Sequence, residues 1–227
     1  MNTAIIVAAG SGKRFGGQTA KQFLEILGKP LVIHTIQRFE ICPEIDEIIL
    51  VLPATENARF LEIAGKYGFK KISEIVDGGE TRAESVRKGL RAVRAATAEI
   101  VAVHDGARPL VSVAEISETV EKAKEAGAAC LVSTVTDTIK EIENGKIART
   151  IDRSTLRRAL TPQCFRYEIL KRAFENADLS AAATDECFLV ERLGCEIAIV
   201  EGSARNIKIT HAEDLILAES LLKQTTL

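Results

Sequence analysis

A chain of 227 residues, 46% hydrophobic and 27% charged, has the composition of an ordinary globular protein and is long enough to bury roughly 70–75% of its unfolded surface. Its formal net charge of −2 argues against nonspecific binding to nucleic acid or to an anionic membrane. The odd set of cysteines, Cys42, Cys130, Cys164, Cys187 and Cys195, contains no C-x-x-C pair and reads as reduced thiols. No apolar stretch approaches the ~18 residues of a membrane span, and the first apolar run is too short for a signal sequence. The expectation is a soluble, cytoplasmic protein.

Strands and helices then alternate along the chain. Ile5-Ile6-Val7 is β-branched and apolar without alternation, as in a strand buried on both faces of a parallel sheet. It runs into Ala8-Ala9-Gly10-Ser11-Gly12, residues too small to fill a core. After Gly28-Lys29-Pro30, apolar residues at 32, 33, 36 and 39 predict a helix over Leu31 to Phe39. A second buried strand, Ile48 to Leu52, stops at Pro53. A helix from about Ala54 to Tyr67 and a strand near Ile72 to Val76 follow. Asp77-Gly78-Gly79-Glu80-Thr81 is a turn and helix cap, and the helix it starts buries Val86, Leu90 and Val93. The strand Ile100 to Val103 enters His104-Asp105-Gly106-Ala107-Arg108-Pro109. A helix over Val113 to Ala126 and a strand over Ala128 to Val132 continue the alternation. This pattern predicts an α/β fold with a doubly wound, mostly parallel sheet, whose ligands lie beyond the C-terminal ends of the strands.

The pattern changes at Thr138 to Ile151, two short strands around Asn144-Gly145, a strong hairpin signal. Their few isoleucines among Lys140, Glu141, Glu143, Lys146 and Arg149 cannot support a free-standing ribbon. The expectation is an arm inserted at about 136–153 that is exchanged with a second copy across a two-fold axis. Leu160 to Phe165 then returns to the body. Helices near Tyr167 to Asn176 and about Asp185 to Leu193, the latter capped by Thr184, follow. Strands at Ile197 to Val200 and Ile207 to Ile209 and a helix near Ala212 to Leu222 complete one domain over residues 1–227, without internal repeat or linker.

The loop after the first strand does not fit the common phosphate-binding fingerprints. Phe15 stands where G-x-G-x-x-G needs glycine, and Gly12-Lys13 is followed by Arg14 where a P-loop needs Ser or Thr. A glycine turn with N–H donors and the cations Lys13, Arg14 and Lys21 can nonetheless hold a polyphosphate. A-A-G-S-G-K-R-F-G with A-K-Q resembles the signature loop of sugar-phosphate nucleotidyltransferases. Taken with G-G-x-T-R-x-x-S-V, V-H-D-G-A-R-P, D-T-I-K, I-D-R, L-T-P-Q, A-T-D-E and N-I-K-I-T, the chain resembles the 2-C-methyl-D-erythritol 4-phosphate cytidylyltransferase family over its whole length. Val7 and Ala20 depart from the family, which often has proline at both positions.

The resemblance implies transfer of a cytidylyl group from CTP to 2-C-methyl-D-erythritol 4-phosphate, with pyrophosphate leaving, in non-mevalonate isoprenoid biosynthesis. A phosphate monoester has its second pKa near ~6, so the acceptor is already a dianion at neutral pH and needs no protein base. Catalysis then reduces to positioning and charge neutralisation at the α-phosphate. By resemblance, Arg14 and Lys21 stabilise the transition state, and Arg153 and Lys208 position the acceptor. The nucleotide would be held by Ala8, Ala9, Gly10, Gly12, Lys21, Gly79, Glu80, Ser85, Asp105, Ala107 and Lys208. The acceptor would meet Asp105, Arg108, Thr138, Arg153, Thr161 and Thr184, with Arg153 serving the neighbouring copy's site. Asp105, at a strand end, suits a magnesium ion or another divalent cation bridging the phosphates. Arg82 is open between fixing its turn and touching phosphate, and His34 and His211 read as helix-end residues.

Two further readings stand beside this one. Ribitol-5-phosphate cytidylyltransferases share the loop, the aspartate and the arm, and only the Thr134–Thr138 and Ile151–Arg153 segments speak against them. A non-catalytic nucleotide-binding regulatory subunit would be expected to have lost one of Arg14, Lys21, Asp105, Arg153 or Lys208, and all five are present.

Overall fold

The computed structural model describes residues 1–10, 20–177 and 184–225. Its centre is a seven-stranded sheet. β1 (Asn2–Val7) lies between β4 (Glu47–Leu52) and β6 (Ile100–Asp105), parallel to both, and β5 (Ile72–Asp77) extends the sheet beyond β4. On the other side, β10 (Arg157–Arg166) lies between β6 and β7 (Ala128–Thr134), with β11 (Ala198–Glu201) at the edge. The apolar runs lack alternation because both faces are covered. Ala4, Ile6, Ile48, Leu50 and Leu52 face one core, and Ile5, Ile49 and Val51 face the other.

The first core is covered by α1 (Leu31–Glu40), α2 (Asn57–Ala64) and α4 (Val113–Ala126), through residues such as Ile36, Phe60 and Val120. The second is covered by α3 (Arg82–Ala92), α5 (Tyr167–Glu175) and α6 (Glu186–Glu191), through Val86, Leu170 and Val190. A small third cluster seats the last helix, α7 (Ala212–Thr225), where Ala218 and Leu222 pack with Ile26, Leu31, Ala107 and Ile209. Ser112 caps α4 and Thr81 caps α3, each in a reciprocal capping box with a glutamate three residues on. Gly127 at φ 91° ends α4 in a conformation that favours glycine.

Three sequence expectations are corrected, and the strand β10 is added to those expected. β10 is antiparallel to both its neighbours and splits an otherwise parallel sheet. Its register shifts between Ala159 and Gln163, around the cis Thr161–Pro162 peptide. The helix expected from Ala54 is a 3-10 turn, Ala54–Glu56, leading into the shorter α2. The helix expected to be capped by Thr184 is capped by Asp185, whose carboxylate accepts from the Phe188 N–H at 2.9 Å. Ile207 to Ile209 joins no ladder. It is tied to the body by the Ile209 N–H donating to the Ala107 carbonyl at 2.9 Å. A short pair, β2 (Glu25–Ile26) and β3 (Lys29–Pro30), was not expected at all.

The arm is present as β8 (Ile139–Glu143) and β9 (Lys146–Ile151), a two-stranded sheet of its own. Asn144 and Gly145 both have positive φ, 50° and 75°, as a two-residue hairpin turn requires. Ile142 and Ile147 are more than half exposed on it.

A chain of hydrogen bonds locks the end of β6 to β10. The Asp105 N–H donates to the Thr161 hydroxyl at 3.2 Å, that hydroxyl donates to His104 Nδ1 at 3.0 Å, and His104 Nε2 donates to the Arg108 carbonyl at 3.2 Å. Each group is satisfied only if His104 is neutral with its proton on Nε2. Burial in the same place pushes its pKa down to about 3. The folded pKa thus lies below the unfolded value, so the unfolded chain binds the extra proton between those two values. The stabilisation is complete above pH ~6.5 and is lost as the pH falls below it. Urea unfolding should therefore lose roughly 2–3 kcal/mol from this group between pH 6.5 and 4.5. His104→Gln should flatten that slope by about one proton, and an identical slope in both proteins would refute a neutral, buried His104.

Candidate functional site

Strand order reverses at β1, with β4 and β5 on one side and β6 on the other, which opens a crevice beyond its C-terminal end. Three backbone segments crowd together there. The Ala8 N–H donates to the Val51 carbonyl at 2.8 Å, and the Gly106 N–H donates to the Val7 carbonyl at 2.8 Å. A Cβ on Gly78 would come within 2.2 Å of the Ala9 Cβ, and one on Gly106 within 2.8 Å of the Ala8 Cβ. The small residues thus let three chain segments meet with backbone exposed between them.

The cavity they enclose has a volume of about 510 Å3. Ala8, Ala9 and Gly10 line it from one side, Gly79, Glu80 and Ser85 from another, and Asp105, Ala107, Lys21 and Lys208 complete the charged wall. The first turn of α3 borders the same space through Arg82 and Ser85, so the positive end of a helix lies at its edge. Ser85 is spent on shaping that edge. Its hydroxyl accepts from the Gly79 N–H at 3.0 Å and donates to the Thr81 carbonyl at 2.9 Å.

Asp105 is the electrostatic centre. Its Oδ1 accepts from Arg82 Nε at 2.8 Å, and its Oδ2 lies 3.0 Å from Lys208 Nζ and 3.4 Å from Arg108 Nε. Burial alone would push its carboxyl up, but Arg82, Lys208 and Arg108 outweigh that and hold it well below the usual carboxylate range. Arg82 is paired on its other side with Glu186, and the two carboxylates more than offset its desolvation and keep it charged. Arg108 continues the network by donating from Nη1 to the Asn206 carbonyl at 2.7 Å. Lys21, in the 3-10 turn Lys21–Phe23, donates to the Ile209 carbonyl at 2.9 Å, so it meets the Lys208 segment directly.

Of the expected nucleotide residues, Ala8, Ala9, Gly10, Lys21, Gly79, Glu80, Ser85, Asp105, Ala107 and Lys208 therefore share one cavity. Arg14 and Gly12 lie outside the described residues. Of the acceptor residues, Arg108 and Thr161 are buried against Asp105, through the ion pair and the hydroxyl bond described above. Thr138 and Thr184 are exposed and do not line the cavity. Arg153 is also exposed, at the foot of the arm, with its guanidinium donating to the Thr136 carbonyl.

The expected metal ligand does not fit a cation held by the protein. Neither Asp105 oxygen is free of a cationic partner, and among the described residues no group of three or more His, Cys, Asp or Glu side chains could hold a metal. Arg82, left open in the sequence between fixing its turn and touching phosphate, bridges two carboxylates and also lines the cavity. Glu186 was missed, although it stands in the A-T-D-E segment, because a glutamate at a helix start reads as a surface residue.

A family model described as 2-C-methyl-D-erythritol 4-phosphate cytidylyltransferase matches residues 2–224. The chain is 45% identical to the protein of that name from Clostridium acetobutylicum, over 100% of both chains. It is 43% identical to the one from Geobacillus kaustophilus, over 96% of each. Among solved structures it resembles a 4-diphosphocytidyl-2C-methyl-D-erythritol synthase from Anaerococcus prevotii, with a TM-score of 0.86, 30% identity and coverage of 98% of this chain and 96% of that one. Sequence likeness from end to end and a shared fold agree with a crevice lined by small residues and cations, and the chain belongs to the 2-C-methyl-D-erythritol 4-phosphate cytidylyltransferase family.

Proposed function

We propose that the protein transfers the cytidylyl group of CTP to 2-C-methyl-D-erythritol 4-phosphate, releasing pyrophosphate, with all 227 residues acting as one nucleotidyltransferase domain. The observation that carries this reading is the convergence of Lys21, Asp105 and Lys208 on a cavity floored by the small residues Ala8, Ala9 and Gly10. That floor suits the close approach of a nucleotide, and the cations suit its phosphates.

In this reading an oxygen of the acceptor phosphate attacks the α-phosphorus in line. One P–O bond forms as the bond to the pyrophosphate oxygen breaks, and no proton has to move because the acceptor is a dianion. His104, buried and neutral, takes no part. Lys21 and Arg14 oppose the charge that gathers at the α-phosphate and leaving group. Gly79, Glu80 and Ser85 border the part of the cavity assigned to the base and ribose. Lys208, braced by Asp105, faces the acceptor, with Arg108 and Thr161 holding Asp105 in place. A divalent cation, magnesium by resemblance, would enter as the counter-ion of the triphosphate, because Asp105 is already saturated by cations.

Arg153, Thr138 and Thr184 are the expected acceptor residues that are exposed away from this cavity, whereas Arg108 and Thr161 lie buried behind Asp105. We propose that a second copy supplies the first two through arm exchange. The ribbon has two cross-strand isoleucine pairs, Ile139 with Ile151 and the exposed Ile142 with Ile147, too little apolar surface to hold it as an isolated unit.

Three outcomes check this reading. Pyrophosphate release, with CTP and UTP crossed against methylerythritol phosphate and ribitol 5-phosphate, is expected only for CTP with methylerythritol phosphate. Release with ribitol phosphate would move the chain to the neighbouring activity, and none with any pair would favour a non-catalytic nucleotide binder. Arg14→Met and Lys21→Met should each lower turnover by on the order of a hundredfold while the protein still folds. Near-normal turnover in either would remove that residue from the mechanism. Deleting residues 139–150 should yield monomers with much weaker use of the acceptor, and a dimer that survives the deletion in light scattering would refute arm exchange.

A further inference from the structure

One carboxylate beside the cavity has no part in the reaction as proposed. Glu186 opens α6 and is 1% exposed. Its backbone is fixed from below by β10, where the Gln163 side-chain oxygen accepts from the N–H groups of Glu186 and Cys187, each at 3.1 Å. The Gln163 amide also donates to Asp185 at 2.9 Å, so the residue that caps the helix is held by the same side chain. A carboxylate on so constrained a backbone can serve as an anchor.

What it anchors is Arg82. Both Glu186 oxygens accept from Arg82 Nη1, at 2.7 and 2.9 Å. With its Nη1 fixed on Glu186, Arg82 meets Asp105 at a single contact, from Nε to Oδ1 at 2.8 Å. The other Asp105 oxygen remains with Lys208 at 3.0 Å and Arg108 at 3.4 Å. A guanidinium facing one carboxylate alone prefers the two-pronged fork, which would occupy both oxygens. The observed split is the geometry that keeps Oδ2 for Lys208.

We propose that Glu186 is a positioning residue for cytidylyl transfer: by holding Arg82 to one contact with Asp105, it leaves Asp105 to aim Lys208 at the acceptor phosphate. The inference rests on the reaction proposed above and on the place of Lys208 in it. It accounts for a fully buried glutamate at a place where burial alone pushes its carboxyl up, since its partner is the charge that needs restraint.

Glu186→Gln keeps the shape and removes the charge, so Arg82 is free to close its fork on Asp105. The variant should lose on the order of 10- to 100-fold in kcat, as for a reacting group moved by about an ångström, while KM for CTP changes by less than about threefold. Arg82→Gln/Glu186→Gln removes the fork as well and should recover several-fold of that loss. A role in packing alone would lower the folded fraction seen by circular dichroism and would make the double variant no better than the single. Wild-type kcat in Glu186→Gln, or a double variant slower than it, overturns the proposal. Should Glu186→Gln fail to fold, Glu186→Asp withdraws the anchor by one methylene with the charge kept, and it too must lower kcat without raising KM for CTP. The wild type is assayed beside each variant. An inactive wild type sinks the reaction, whereas an active wild type matched by its variants sinks only the role of Glu186.

Discussion

A buried carboxylate surrounded by three cations is the interaction on which the rest of the site depends. Asp105 ends β6, Arg82 begins α3, Arg108 lies in the turn after β6, and Lys208 comes from a segment that belongs to no strand. Removing Asp105 would leave Arg82, Arg108 and Lys208 crowded together without the carboxylate they share. The four segments are therefore held in one arrangement by electrostatics where regular secondary structure ends. The residue 206–209 segment shows this best, since its polar links to the body include the Lys208 ion pair, the Ile209 bonds to Ala107 and Lys21 and the Asn206 bonds to Arg108 and Thr161.

That cluster works because the sheet delivers its members to one edge. The close approach at Ala8, Ala9, Gly78 and Gly106 needs residues without bulk, and those residues in turn leave backbone uncovered beside the charges. Burial on both faces of the sheet keeps the strands rigid behind it, with α1 and α4 on one side and α3 and α5 on the other. Helix α3 contributes twice, packing Val86 and Leu90 into the core while its first residue reaches Asp105. Gly89 allows this closeness, since a Cβ there would fall 2.7 Å from a methyl of Ile5.

The parts of this arrangement that were legible in the sequence are those set by local rules. The non-alternating runs of β1 and β4 announced a sheet covered on both faces, the apolar spacing gave α1, α3 and α4, and Asn144-Gly145 gave the arm its turn. Most of the residues that line the cavity followed from the glycine loop and the ends of strands. What escaped was decided at long range. β10 carries Thr161-Pro162 and mixed polarity, and nothing local told that it would be inserted antiparallel between β6 and β7. Lys208 was found but assigned to a strand, because Ile207 and Ile209 alternate around it as strand residues do. Arg82 and Glu186 lie 104 positions apart, and their bond exists only once α3 and α6 share one face of the sheet.

The way protons are placed fits chemistry that moves none. His104, next to Asp105 in the sequence, is sealed in a hydrogen-bond chain from Asp105 to Arg108 and is held neutral by burial. The carboxylates Asp105 and Glu186 both face guanidinium groups and serve to hold cations. A site meant for proton transfer would separate the affinities of two groups near neutral pH and leave one of them open to the substrate. Here the opposite has been built. Asp105 is locked as a carboxylate, His104 is locked as a neutral ring, and Lys21 and Lys208 border the same open space. An acceptor that arrives already ionised asks for charge in fixed places, and fixed charge is what this edge of the sheet provides.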